Sequence, residues 1–171
     1  RLRFSKDWGQ FQVASLYRLG GFQPTGEAVI TNSAWGLNFT GTILPTDTSK
    51  FYYQVVFGEG IGSYRGLPDA APETDTADHL LGLTGWMVGF TQDWTDCLNS
   101  NFTYAENALG NTRLQQPDDV HRTTYLAANL IWEPVDRVNA GIEYLHGLRE
   151  NIDRNARDAN RLQVAFIFKL P

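Results

Sequence analysis

The sequence predicts an all-β fold: an antiparallel transmembrane β-barrel, of which this chain contributes eight strands. Hydrophobic residues recur with a period of two, which is the period of a β-strand and not of a helix. The connections between the predicted strands alternate strictly between long and short. Tryptophan and tyrosine residues stand near the strand ends, where the two interfaces of a membrane would lie.

Composition excludes several other classes of protein. The 171 residues are 42% hydrophobic and 13% aromatic, yet the mean hydropathy is -0.32, so apolar and polar residues are finely mixed. A net charge of -5 leaves no surplus of Lys and Arg to neutralise phosphates, which argues against a nucleic-acid partner. No run of about 20 apolar residues could form a transmembrane helix. The single Cys97 excludes an intramolecular disulfide and a cysteine-based zinc site.

Eight segments show the strand period. It is clearest where Trp35, Leu37 and Phe39 alternate with polar residues and glycine. Residues 1–4 look like the end of an earlier strand, so we expect the chain to start inside a longer barrel. The eight segments are residues 8–18, 33–43, 50–58, 79–91, 97–104, 125–132, 138–145 and 161–170.

Long and short connections alternate between these segments. Bacterial outer-membrane barrels have this arrangement, with short turns that face the periplasm and long loops that face outward. Nothing in a soluble sandwich demands it, so the expected location is the bacterial outer membrane. The long connections are residues 19–32, 59–78, 106–122 and 147–160, and the short ones are residues 45–49, 92–96 and 134–136.

The polar face of the strands distinguishes a water-filled channel from a packed interior. Gly, Asn, Thr and Gln occupy many strand centres, where a soluble core would carry more Leu, Ile and Val. A wall that is apolar toward lipid and polar toward water fits this pattern best. Two alternatives stay open: a small eight-stranded anchoring barrel whose lumen is plugged by side chains, and a soluble lipocalin-like binding barrel.

Four segments, taken in order, resemble the C-terminal half of DcaP-like outer-membrane porins. They are SAWGLNFTG at 33–41, FGEGIGSY at 57–64, GWMVGFTQDW at 85–94, and NLIWEP at 129–134 followed by GIEY at 141–144 and REN at 149–151. The resemblance implies a homotrimer of barrels with about sixteen strands each, which admits small anionic solutes such as dicarboxylates. Residues 1–171 would then be the C-terminal segment of one barrel domain. Such barrels usually end on an aromatic residue, whereas this chain continues from Phe168 to Pro171.

Fixed positive charges in the lumen would favour anions, because low-dielectric walls strengthen the attraction between a guanidinium and a carboxylate. The alternation of the last strand places Arg161 and Lys169 on its inward face, and the loop that carries Arg65 could fold toward the lumen. The alternative is that each arginine pairs with an acid and braces the wall. The predicted pore-lining and solute-binding residues are Arg161, Arg65, Arg18, Arg122, Arg149, Glu143, Lys169, Asn38, Asn101 and Gln163.

We expect no catalysis, no cofactor and no resident metal. The glycine-rich run at 58–62 is followed by no helix that could hold a dinucleotide, so it is expected to be a strand end turning into a loop. His79, His121 and His146 fall near the ends of different strands, with no evident catalytic partner. Two acidic loop regions, at 69–78 and 153–160, lack the spacing of a calcium loop, although a divalent cation there stays an alternative.

Overall fold

The computed structural model describes residues 1–23, 26, 28–74 and 77–169, although not the side chains of Phe22 and Ala77. These residues form eleven strands and one short 3-10 helix at Gly62–Arg65. None of them forms a helix that is long and apolar enough to cross a membrane. The strands are β1 (Leu2–Lys6), β2 (Gly9–Phe22), β3 (Ile30–Thr46), β4 (Ser49–Glu59), β5 (Ala70–Thr74), β6 (Ala77–Leu80), β7 (Gly82–Thr95), β8 (Leu98–Leu109), β9 (Val120–Val135), β10 (Val138–Asn151) and β11 (Ala156–Phe168).

Nine strands form one antiparallel sheet in the order β1-β2-β3-β4-β7-β8-β9-β10-β11, which confirms the predicted all-β, antiparallel architecture. Each strand pairs with its neighbours in the chain, except that β5 and β6 form a separate hairpin inside the connection from β4 to β7. β1 contains residues 2–4, for which the sequence predicts strand structure. The sheet is not closed, since the described residues of β1 and β11 do not pair with each other.

The connections alternate in length as predicted, with two-residue turns at 7–8, 47–48, 96–97 and 136–137. The strands, however, run further toward the long-loop end than predicted. The expected long loop at 147–160 is a turn of residues 152–155, because β10 and β11 stay paired up to Glu150 and Ala156. The prediction was too short because residues 147–151 and 156–160 are mostly polar on both faces of the hairpin, so the sequence there resembles a loop. The last predicted strand ends at Phe168; Leu170 and Pro171 lie outside the described residues.

The two faces of the sheet differ sharply, and the register assigns each residue to one of them because directly paired residues share a face. We call the face that carries Asn38 the loop face, because residues 61–67 fold against it. Ile61, Leu81, Leu83 and Leu109 form a buried cluster there, and Leu81 is fully buried. The connection from β4 to β7 therefore covers the long-loop end of this face from β2 to β8.

The opposite face, which we call the aromatic face, carries most of the large exposed apolar side chains. Phe166 and Leu162 on β11 are 68% and 67% exposed. Charged residues of this face stand near strand ends, next to the turns and loops, as Glu59 and Glu150 do. Further members, all at least 36% exposed, are Phe11, Tyr17, Trp35, Ile43, Val55, Trp86, Phe90, Phe102, Leu126, Leu130, Trp132, Ile142, Tyr144, Val164 and Phe168.

Candidate functional site

Arg18 holds the loop of residues 60–69 against the loop face. This residue lies on β2 opposite Ala34. Its Nε and Nη2 donate to the Gly60 carbonyl oxygen at 3.1 and 2.6 Å, and Nη2 also pairs with the Asp69 carboxylate. Asp69 in turn accepts a hydrogen bond from the Ser63 backbone N–H at 2.7 Å. One guanidinium therefore bridges the two ends of the loop, which is a bracing role.

The Asp69 carboxylate is ionised in this arrangement. Burial alone would raise the pKa of Asp69, but the hydrogen bonds from Ser63 and Arg18 and the charge of Arg18 together lower it below its ordinary value. The ion pair with Arg18 therefore persists well below neutral pH.

Arg65 ends the 3-10 helix and reaches the sheet. Its Nε donates to Asn107 Oδ1 at 2.9 Å and its Nη1 donates to Gln54 Oε1 at 3.0 Å, while Gln54 Nε2 donates to Asn38 Oδ1 at 3.1 Å. Burial lowers the pKa of Arg65, yet a guanidinium stays protonated at any physiological pH. Arg65 and Asn38 of the predicted set are thus linked through Gln54, beside a cavity of about 260 Å³.

A second polar row crosses β8 to β11 on the loop face. Asn101 donates from its backbone and side-chain nitrogens to Asn129 Oδ1, at 3.0 Å each. Asn129 Nδ2 donates to Glu143 Oε1 at 3.4 Å, and Gln163 donates to the other oxygen of Glu143. The structure therefore brings together the predicted residues Asn101, Glu143 and Gln163. Asn129 was not predicted, although the alternation of β9 places it on this face.

Three arginines line the loop face of β10 and β11. Arg149 pairs in register with Arg157, and Arg161 pairs with Leu145. Arg149 donates from Nε to Asn151 Oδ1 at 2.9 Å and from Nη2 to the Asp118 carbonyl oxygen at 2.7 Å. Arg157 was missed because it falls in the segment predicted to be a loop. Counting back by twos from Arg161 would have found it.

Lys169 follows β11 directly, at the short-turn end. Its backbone N–H donates to the Arg137 carbonyl oxygen at 3.0 Å, so the chain is still held beside the turn at 136–137. The lysine is far along the sheet from the arginines of the long-loop end.

Arg122 lies on the aromatic face and not on the loop face. It pairs in register with Ala108 and with Glu150, and it forms an ion pair with Glu106 at 2.9 Å. The predicted pore-lining position of Arg122 does not fit this register, which places the residue on the aromatic face. Glu59, at the end of β4, pairs with Trp35 and so also lies on the aromatic face.

The described residues of the acidic loops form no common site with the histidines. His121 contacts Asn111 at 2.6 Å, His146 contacts Asn160 at 2.9 Å, and His79 lies 3.4 Å from Glu73. Within the described ranges, no group of three His, Cys, Asp or Glu side chains is placed to hold a metal ion. The suggested cation loop at 69–78 includes Asp75, which lies outside the described residues.

The geometry defines a class of architecture: a meander of long antiparallel strands, apolar on one face and polar on the other, with a loop packed on the polar face.

No family model matches the chain, and no curated sequence matches it either. Among solved structures, the outer membrane channel DcaP of Acinetobacter baumannii is similar, with a TM-score of 0.86 and 17% identity. The match covers 96% of this chain and 48% of that chain, so this chain spans about half the length of the channel protein. The two proteins share the fold of this region.

Proposed function

We propose that the chain forms one half of the wall of an outer-membrane porin that lets small anionic solutes diffuse passively. One observation carries the proposal: a single sheet exposes aromatic and aliphatic side chains on one face and arginines and amides on the other. Lipid would cover the first face, and an aqueous lumen would border the second.

The aromatic face supports a membrane location. Its exposed side chains, such as the 68% exposed Phe168, would be costly in water, at about 25 cal/mol for each Å² of apolar surface. A soluble lipocalin-like barrel would turn its apolar face inward, over a packed core. Here residues 61–67 pack on the opposite, polar face, and no segment that the structure describes covers the apolar side chains. That arrangement favours lipid over the soluble alternative.

The loop face supports passage of anions. Residues 60–69 narrow the space beside β2, β3 and β4, and Arg65 stands there with no acid among its hydrogen-bond partners in the described part of the chain. Glu143 is the one acidic residue on the loop face of β10, and amides of Asn129 and Gln163 engage it. Positive charge therefore exceeds negative charge along this half of the lumen, although the whole chain is acidic.

Assembly is part of the proposal. The matched channel is about twice as long as this chain, so a closed barrel would combine these strands with a comparable number of others. We propose a homotrimer in the bacterial outer membrane, on the resemblance of the motifs at 33–41, 57–64 and 85–94. The small anchoring barrel is the second candidate, and it predicts no conductance.

Planar-bilayer recording of the full-length protein tests the proposal. We expect stepwise conductance and, in a salt gradient, a reversal potential that shows preference for chloride over potassium. Absence of conductance would leave the anchoring barrel, and clear cation preference would refute the role of the arginines. A protein that stays monomeric and soluble without detergent would refute the membrane location.

A further inference from the structure

We infer that Glu143 forms, with Asn139 and Gln163, a site for the primary ammonium group of a small amino-carboxylate. The inference rests on the proposed function, because it takes the loop face to border an aqueous lumen that admits carboxylates. It goes further in assigning a cation-binding group within that lumen. The solute class becomes narrower as a result, since the ammonium and the carboxylate must occur in one molecule.

Glu143 is held in one orientation by amides on both sides. It lies on β10, in the same row of the loop face as Asn129 of β9 and Gln163 of β11. Asn129 Nδ2 donates to its Oε1 at 3.4 Å, and Gln163 Nε2 donates to its Oε2. Both neighbouring strands belong to the described structure, and each presents an amide to the carboxylate and not a cation. An ionised carboxylate has about four acceptor positions, so roughly two stay available for a ligand.

A cavity of about 220 Å³ adjoins this carboxylate on its short-turn side. The floor of the cavity is low, because Gly141 and Ala165 pair with each other in the row next to Glu143. A Cβ built on Gly141 would meet no atom closer than 3.7 Å, so space remains above the sheet even there. A small solute group can therefore reach the carboxylate from the side of Gly141.

The polar groups around this cavity can present three oxygen acceptors to one ligand. Gln163 uses its amide nitrogen on Glu143, which leaves Oε1 for another donor. Among the described residues, the side chain of Asn139 makes no hydrogen bond, so its Oδ1 is also available. A primary ammonium has three N–H donors and no acceptor, which matches one carboxylate oxygen and two amide oxygens. An anion would instead meet the charge of Glu143.

No cation of the described structure neutralises Glu143. In that part of the chain its side chain forms no ion pair with a Lys, Arg or His. A calcium ion is a poor match, because calcium is held by several carboxylate and carbonyl oxygens, and no three acidic, His or Cys side chains of the described ranges lie together. The surplus of positive charge elsewhere on the loop face favours a solute that also carries a carboxylate. The two features together select an amino-carboxylate.

Block of the chloride current by γ-aminobutyrate tests the site in the full-length protein. This probe carries no net charge, so a change in the general field of the lumen does not alter its entry. We expect it to reduce the wild-type current in a saturable way. Glu143→Gln keeps the size of the side chain and removes its charge, and it should raise the half-blocking concentration about tenfold, as expected for losing one charge-assisted hydrogen bond. Glu133→Gln is the matched control: it removes the same charge from the short-turn end of β9 and should leave the block unchanged.

The trimethyl analogue γ-butyrobetaine separates hydrogen bonding from charge. It has the same two charges but no N–H donor, so it should block the wild type more weakly than γ-aminobutyrate does. Equal block by γ-aminobutyrate in the wild type and in folded Glu143→Gln protein would overturn the inference. Equal block of the wild type by the two solutes would overturn it as well.

Thermal unfolding of the detergent-purified wild type decides if Glu143→Gln protein does not insert. A ligand that binds only the folded protein stabilises it, so γ-aminobutyrate must raise the unfolding temperature more than γ-butyrobetaine does at equal concentration. An equal effect of the two solutes is the overturning result. A wild type without any conductance refutes the proposed function instead, and the thermal readout still judges the site.

Discussion

The side chain of Ile61 lies directly over Gly36, with its Cδ1 2.9 Å from the position that a Cβ on residue 36 would take. Gly36 belongs to β3 and Ile61 belongs to the loop that follows β4, so this contact is where the loop meets the sheet. The absence of a side chain at residue 36 is what lets the loop approach so closely.

Gly36→Val should therefore push the loop away from the sheet and, in the proposed porin, into the lumen. We expect lower single-channel conductance and a destabilisation of about 1–3 kcal/mol, the usual cost of overpacking. Gly82→Ala is the control, because a Cβ there would meet no atom within 4 Å. Conductance that is unchanged in Gly36→Val would show that the loop does not limit the current.

The ion pair between Arg18 and Asp69 should decide how firmly the loop is held. Asp69→Asn removes one charge of the pair and weakens the acceptor of the Ser63 N–H, at a cost of about 1–3 kcal/mol. We expect faster proteolysis within residues 60–69 of the folded protein in detergent. Asp47→Asn, in an exposed short turn, is the matched control. This variant should be cleaved within residues 60–69 at the wild-type rate. Equal rates for both variants would contradict the bracing role.

Acid should release the same loop. The pKa of Asp69 is lower in the folded protein than in the unfolded chain, so this carboxylate adds stability that is fully present above the unfolded value of about 3.9. As the pH falls through the lowered folded value, Asp69 is protonated and the stability is lost. We expect protection of residues 60–69 against hydrogen exchange to drop below about pH 4, and to drop less in Asp69→Asn. Protection that is independent of pH would be the contrary result.

Much of the fold could be predicted from alternation alone. The rule that residues two apart share a face correctly placed Asn38, Asn101 and Arg161 on the polar side of the sheet. Carried further, the same rule would have found Arg157. It would also have moved Arg122 to the face of Leu126, because both positions are even in β9.

The arrangement of the loop could not be predicted in this way. Arg18 and Asp69 are 51 positions apart, and their contact depends on how the connection from β4 to β7 folds back over the sheet to reach β2. The β5–β6 hairpin was also not predicted from local patterns. Its segment contains Pro72 and several acidic residues, which are typical of an irregular loop. Strand periodicity indicates which residues share a face of the sheet. It carries no information about a connection that folds back across several strands.

The two faces can be tested with adjacent positions of one strand. Val164 lies on the aromatic face opposite Ile142, and Ala165 lies on the loop face opposite Gly141. In lipid vesicles, Val164→Arg should lower the free energy of unfolding by about 2–4 kcal/mol, the cost of a charge near the middle of a bilayer. Ala165→Arg should cost much less, because its side chain would reach water. A greater loss for Ala165→Arg would mean that the faces are assigned the wrong way round.

Arg65 and Arg122 should differ in their effect on ion selectivity, because the sheet separates them. Arg65 stands on the loop face with Asn107 and Gln54, whereas Arg122 pairs with Glu106 on the aromatic face. We expect Arg65→Gln to lower the permeability ratio of chloride to potassium by about twofold, since it removes a fixed charge beside the ion path. Arg122→Gln, an equal loss of charge, should leave the reversal potential in a salt gradient near the wild-type value.

Thermal unfolding in detergent should first show that both variants are folded. Arg122→Gln removes the ion-pair partner of Glu106 and should therefore lower stability. The decisive quantity is then the difference between the two reversal potentials. If Arg122→Gln shifts selectivity as much as Arg65→Gln does, the aromatic face also borders the ion path and the assignment of that face to lipid fails. If only Arg65→Gln shifts it, the positive charge that governs passage lies on the loop face, because the two variants carry the same net charge.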